Sequence, residues 1–102
     1  MIIRIGPLTD FPEGRGVAAR LANRRIAVFR MGAEVFAVEN NCPHRNFPLH
    51  DGVMNAETVR CRTHGSCFNL RTGALICGPA RRDIPAYPAA IVGDHIEIEI
   101  PD

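Results

Sequence analysis

Lysine and tryptophan are absent from the 102-residue chain, and aromatic residues make up only 6% of it. All twelve basic residues are Arg, so the positive charge is carried by guanidinium groups alone. Aromatics are too sparse among those Arg to build a base-stacking surface, so no nucleic-acid partner is expected. No apolar run nears the roughly 20 residues that a membrane-spanning helix needs. The start, Met1-Ile2-Ile3-Arg4-Ile5-Gly6-Pro7, lacks the shape of a signal or transit peptide. The expectation is a freely diffusing cytoplasmic protein with no membrane association. Also missing are a Gly-rich nucleotide loop after a strand, a facial triad of metal ligands and a Ser-His-Asp arrangement. The chain is therefore expected to have no enzyme activity of its own.

Soft metal ligands are concentrated in two short segments. Cys42-Pro43-His44 is followed, after sixteen residues, by Cys61-Arg62-Thr63-His64. Each segment offers one thiolate and one imidazole. Such a donor set suits either a zinc ion or an asymmetric iron–sulfur cluster. A zinc finger usually pairs Cys with Cys and His with His, whereas each segment here holds one of each. Donors on one turn can face different metals if two irons lie side by side. Cys42 and Cys61 would then hold one iron, and His44 and His64 the other, which is the ligand partition of a Rieske centre.

The flanking residues agree. Cys42-Pro43-His44-Arg45 with Pro48-Leu49-His50-Asp51-Gly52, and Cys61-x-x-His64-Gly65-Ser66-x-Phe68-Asn69-Leu70-Arg71-Thr72-Gly73, closely resemble the two cluster loops of Rieske-type ferredoxins. The likeness runs on through Gly78-Pro79-Ala80 and Tyr87-Pro88 to the C-terminal strand. Departures are mild: Asn46 and Phe47 stand where small residues are common, and Asn69 where Asp is frequent.

The resemblance implies one [2Fe-2S] cluster. With both irons ferric, two sulfides and two thiolates leave the site neutral, falling to minus one on reduction. Adding an electron there costs less than at a four-thiolate site, so the potential rises to about −150 to +300 mV, against about −400 mV for plant-type ferredoxins. High-potential relatives carry an extra Cys in each loop and aim Ser and Tyr hydroxyls at sulfur. Here Arg45-Asn46-Phe47 and Arg62-Thr63 hold no Cys, Ser66 keeps the Ser position, and Phe68 stands where Tyr would be. The lower half of the range is expected. Pro79 is expected to restrict a third loop and help keep water from the cluster. Family analogy implies an NAD(P)H-dependent flavoprotein reductase as donor and a terminal ring-hydroxylating oxygenase as acceptor. The alternative is the small subunit of an assimilatory NAD(P)H nitrite reductase, bound to its sirohaem-containing large subunit.

Hydropathy patterning fills in the frame with strands and turns. Ile2, Ile3 and Ile5 suggest a first strand, and Thr9 to Gly14 a loop with a helical turn that Pro12 cuts short. Val17–Leu21, Arg25–Arg30 and Val35–Glu39 read as a meander, with turns at Asn23-Arg24 and Met31-Gly32-Ala33; in its middle strand Ile26 and Val28 alternate with Arg25 and Ala27. Thr58-Val59-Arg60 leads into the second Cys–His segment. Cys67 and Cys77 flank a hairpin turning at Leu70 to Gly73, and each is expected to be a small buried apolar residue, a disulfide between them being the less favoured reading in a reducing compartment. Tyr87–Val92 is expected to pair with Ile96–Ile100, whose Ile96, Ile98 and Ile100 point inward. The fold class is all-β, implied by the resemblance to be an antiparallel β-sandwich or open barrel. One domain spans 1–102, with a basal body at about 1–39 and 81–102 and a cluster-binding subdomain inserted at about 40–80. Such a chain buries roughly 65% of its unfolded surface. His50 and His95 are expected to be ordinary surface residues. Between Asn40 and Arg82 six Arg face two acids, while the remainder has six Arg against nine acids. The cluster end is thus expected to be positive and able to steer an acidic partner.

Overall fold

The computed structural model describes Met1–Pro101; Asp102, the last residue of the expected basal body, lies outside the described residues. Among the described residues, eleven short strands form three antiparallel sheets. The first holds β1 (Ile2–Pro7), β11 (His95–Glu99) and β10 (Ala89–Val92), in that order. The second runs β2 (Gly16–Leu21), β3 (Arg24–Met31), β4 (Glu34–Glu39), β9 (Ala86–Tyr87). The third is β5 (Val53–Asn55), β6 (Thr58–Arg60), β7 (Cys67–Asn69), β8 (Leu75–Cys77). The chain is all-β, and its described helical content is one 3-10 turn at Leu8–Asp10, which ends before Pro12 as expected.

The second sheet is the centre of the molecule because it is buried on both faces. Side chains alternate across a strand, and both sets here are apolar. Ile26, Val28, Val35 and Ala37 pack with Phe11, Tyr87, Ile96, Ile98 and Ile100. From the opposite face, Ala27, Phe29, Phe36 and Val38 pack with Cys42, Leu49, Val59, Cys61, Phe68 and Leu70. Phe29 lies directly opposite Phe36 and Ala27 opposite Val38, so the second face is filled by cross-strand pairs. The half-buried alternation expected for the middle strand is corrected: Ala27 is as deeply buried as Ile26.

Local chemistry explains the other differences. The β2–β3 turn centres on Ala22 and Asn23, one residue earlier than expected, with φ of 48° and 69°. Positive φ at both central residues suits a tight hairpin. Tyr87–Val92 is not one strand. Pro88, which has no N–H to give a ladder, divides it: β9 pairs with β4, and β10 with β11. The expected inward set Ile96, Ile98 and Ile100 is buried. Asn69 closes the β7–β8 turn, its Oδ1 accepting the N–H of Arg71 at 2.8 Å and of Thr72 at 3.0 Å. Arg71 then reaches Glu57 of the β5–β6 turn at 2.7 Å and Glu34 of β4 at 2.9 Å, joining the second and third sheets at the surface. Cys67 is half-buried and Cys77 exposed, which corrects the buried reading: β8 is the edge of its sheet, and Cys77 stands at its end.

Candidate metal centre

Two turns of one design carry the Cys and His residues. In the first, the Cys42 N–H bonds the Phe47 carbonyl and the Asn46 N–H bonds the Cys42 carbonyl, both at 2.7 Å. In the second, the Cys61 N–H bonds the Ser66 carbonyl at 2.7 Å and the Gly65 N–H bonds the Cys61 carbonyl at 3.1 Å. The fourth residue after each Cys therefore turns back onto it and needs positive φ: 60° at Asn46, 81° at Gly65. Asn tolerates that region better than most residues, so Asn46 satisfies the same backbone demand as Gly65.

The turns bring four donors together as two pairs. Cys42 and Cys61 are 1% and 2% exposed, and their thiols are within hydrogen-bonding contact. The His44 and His64 rings lie nearer the surface, with centroids 4.7 Å apart and planes at 84°. Burial pushes the Cys42 thiol up, opposed by the His44 backbone N–H and the Ser66 hydroxyl, which donate to its sulfur. Burial, then the positive charge of His64, Arg45 and Arg81, pushes the His44 imidazole below its ordinary value. The ring is thus held in the neutral form that binds metal. Its Nδ1 is buried and has no hydrogen-bond partner. A buried ring nitrogen without a partner is costly unless it coordinates something. These features fit a binuclear cluster with sulfur on one side and imidazole on the other.

The expected supporting residues take distinct places. Ser66 is fully buried, and its Oγ accepts the Ala80 N–H at 3.0 Å while its hydroxyl serves Cys42. It thereby links the first turn, the second turn and the segment after β8. Gly78 fits there because a Cβ would collide with the Ser66 backbone. Phe68 is fully buried in the same core cluster as Cys42 and Cys61. Pro79 is exposed and lines, with Pro43, His44, Arg81 and Arg82, a cleft of about 160 Å³.

Sequence reasoning missed Asn40. This residue is 6% exposed, and its Oδ1 accepts the N–H of Leu49 at 2.7 Å and of His50 at 2.9 Å. It pins the far end of the first turn to β4. His50 is accordingly not an ordinary surface residue: it is half-buried, with Nδ1 3.0 Å from Asn40 Nδ2. His95 is also half-buried and pairs with Glu97 at 3.0 Å. An Asn after a strand reads in sequence as a turn residue, so no pattern signalled this role.

Comparison with known proteins agrees with the geometry. The Rieske [2Fe-2S] domain family matches residues 1–88. The 3-phenylpropionate/cinnamic acid dioxygenase ferredoxin subunit of Escherichia coli K12 is 33% identical over 97 residues, covering 94% of this chain and 91% of that protein. Among solved structures, the ferredoxin of carbazole 1,9a-dioxygenase from Nocardioides aromaticivorans IC177 superposes with a TM-score of 0.90 at 29% identity, covering 96% of each chain. A protein described as an NADH-dependent nitrite reductase small subunit, from Mycobacterium tuberculosis, shares the fold at a TM-score of 0.89 and 22% identity, covering 100% of this chain and 97% of that one. No described helix is long and apolar enough to cross a membrane. With the family model matching residues 1–88 and a ferredoxin subunit 33% identical over 94% of its length, the chain belongs to the Rieske [2Fe-2S] family and holds one such cluster.

Proposed function

We propose that the protein is a cytoplasmic one-electron carrier with no enzyme activity of its own. It takes electrons from a flavoprotein reductase and delivers them to a terminal ring-hydroxylating oxygenase. The single observation that carries this reading is the pairing of two buried sulfurs with two imidazoles near the surface, one with an orphaned Nδ1. Cys42 and Cys61 would hold one iron, and His44 and His64 the other. When bound, the cluster accepts and releases single electrons at a potential raised by replacing two thiolates with neutral imidazoles. Ser66 and the His44 backbone N–H donate to the Cys42 sulfur and favour the more negative, reduced state. Phe68 and Leu49 pack in one core cluster with both cysteines and exclude water there. One domain houses this arrangement, with residues 40–80 as the cluster-bearing part on a basal body formed by the rest. The sequence likeness to dioxygenase ferredoxin subunits supports the choice of partner.

Docking falls to the exposed end around the imidazoles. Phe47 is 42% exposed and lies 6.2 Å from the His64 ring. Arg45 and Arg62 are exposed on the two turns, and Arg81 and Arg82, also exposed, line with Pro43 and Pro79 the cleft beside His44. An apolar contact ringed by guanidinium groups suits an acidic partner surface. The test is the electron-transfer rate to a terminal oxygenase against ionic strength, for the native protein and for R81E/R82E. The expected result is a steep fall with salt and a slow, nearly salt-independent variant; equal rates and a flat profile would remove the steering claim. The shared fold also supports a second reading, a nitrite reductase small subunit, which predicts stable co-purification with a sirohaem flavoprotein.

A further inference from the structure

Two cysteines take no part in the proposed centre, yet β7 and β8 place them face to face. Cys67 and Cys77 are directly opposed in the antiparallel ladder. Directly opposed residues have Cα atoms about 4.5–5.5 Å apart, inside the span of about 4.4–6.8 Å that a disulfide bridges. Paired across the ladder, their side chains leave the sheet on the same face, and the Cys67 thiol also donates to the Gly65 carbonyl at 3.5 Å. Both are free, Cys67 half-buried and Cys77 exposed on the edge strand. Arg60 lies opposite Cys67 on the other side, on β6; the neighbouring Cys77 thiol and burial push the Cys67 thiol above its ordinary value, and the Arg60 charge offsets part of that rise. An exposed thiol with a second thiol facing it across the ladder is the arrangement a dithiol–disulfide couple needs.

We propose that Cys67 and Cys77 form a second redox site, a reversible dithiol–disulfide couple oxidised by hydroperoxides and reduced by small thiols. The exposed Cys77 thiolate attacks the peroxide oxygen, the O–O bond breaks, and the leaving oxygen departs as water or an alcohol. Cys77 is then a sulfenic acid. The Cys67 thiolate attacks its sulfur, forms the S–S bond and expels hydroxide, which leaves as water after taking a proton. The pair loses two electrons and two protons, and one peroxide is reduced. Two molecules of a small thiol reverse the change by exchange through a mixed disulfide, ending as their own disulfide.

Position gives the couple its consequence. Cys67 follows Ser66, and Cys77 precedes Gly78, whose backbone sits against Ser66. The new bond ties together the two segments that meet at the Ser66–Ala80 hydrogen bond. The proposal stands on the β7–β8 register and holds whichever proteins exchange electrons with the cluster.

The test uses the cluster-loaded protein under anaerobic conditions, treated with a small excess of hydrogen peroxide, labelled with N-ethylmaleimide and read by mass spectrometry. The expected result is loss of two hydrogens, one linked peptide pair joining Cys67 to Cys77, and loss of labelling at both positions. Dithiothreitol restores the labelling, and the visible absorption of the cluster persists throughout. C77S and C67S each abolish the linked pair, and C67S leaves a sulfenic acid on Cys77 that dimedone traps. C77S alters only an exposed edge position, so its fold provides the secure control. Cluster bleaching before either thiol reacts, linkage through Cys42 or Cys61, or full labelling of Cys67 and Cys77 after treatment would each overturn the proposal.

Discussion

Removing the Ser66 hydroxyl should move two measurable quantities at once. Ser66 is fully buried, accepts the Ala80 N–H at 3.0 Å and donates to the Cys42 sulfur. In S66A the Ala80 N–H is left buried without an acceptor, which costs about 1–3 kcal/mol of folding stability. The lost donor to sulfur acts on the potential. A hydrogen bond to a sulfur ligand is stronger when the site carries the extra negative charge, so it favours the reduced state. If the difference between the two redox states is about 1 kcal/mol, the scale of a net hydrogen bond, a one-electron potential falls by about 40 mV. The assay is protein-film voltammetry beside denaturant unfolding of the same cluster-loaded preparation. S66A should be both less stable and lower in potential. A variant that keeps its cluster and its potential while losing stability would show that Ser66 only supports the Ala80 segment, and the reasoning about sulfur donors would fail.

Other predictions follow from single contacts. N40A removes the acceptor for two backbone N–H groups and should cost about 2–4 kcal/mol with faster cluster loss, seen by denaturation and by the decay of visible absorption. F68Y places a hydroxyl in the fully buried core cluster that holds both cysteines and should raise the potential if that hydroxyl reaches sulfur; an unchanged or lower value in voltammetry counts against it. Glu57 is held below its ordinary value of 4.5 by the hydrogen bond and charge of Arg71. A depressed carboxyl stabilises the fold above its unfolded pKa and loses that contribution as pH falls through its folded pKa. E57Q should therefore shallow the acid limb of the stability profile, measured by unfolding across a pH series, and leave the potential unchanged.

The strands that sequence revealed best are those with one apolar period and a clear turn. Ile96, Ile98 and Ile100 alternate with Glu97 and Glu99 after Gly93-Asp94, and the structure buries the expected set. Where two environments overlap, the pattern misleads. β3 has apolar residues on both faces because two different layers cover it, and a period-two reading assigns only one face. β5, three residues at Val53–Asn55, is too short to show any period and exists because Met54 pairs with Val59. Cys77 was misjudged because a residue type's usual burial carries no knowledge of which strand lies at a sheet edge. The two Cys–His turns were legible in the sequence, and the structure sets Cys42 beside Cys61 and His44 beside His64. Its support was not. Asn40 acts through an amide that accepts from residues nine and ten positions onward, a link that only the closed turn creates.

The central claim is that two side-chain nitrogens and two sulfurs share one cluster unequally. It is tested most directly by pulsed electron–nuclear double resonance on the reduced protein grown with nitrogen-15 histidine. The account predicts couplings to two directly bound histidine nitrogens, with H44A and H64A each perturbing or destroying that pattern. A reduced cluster showing no histidine nitrogen coupling, or a protein that binds a single metal ion instead, would contradict it.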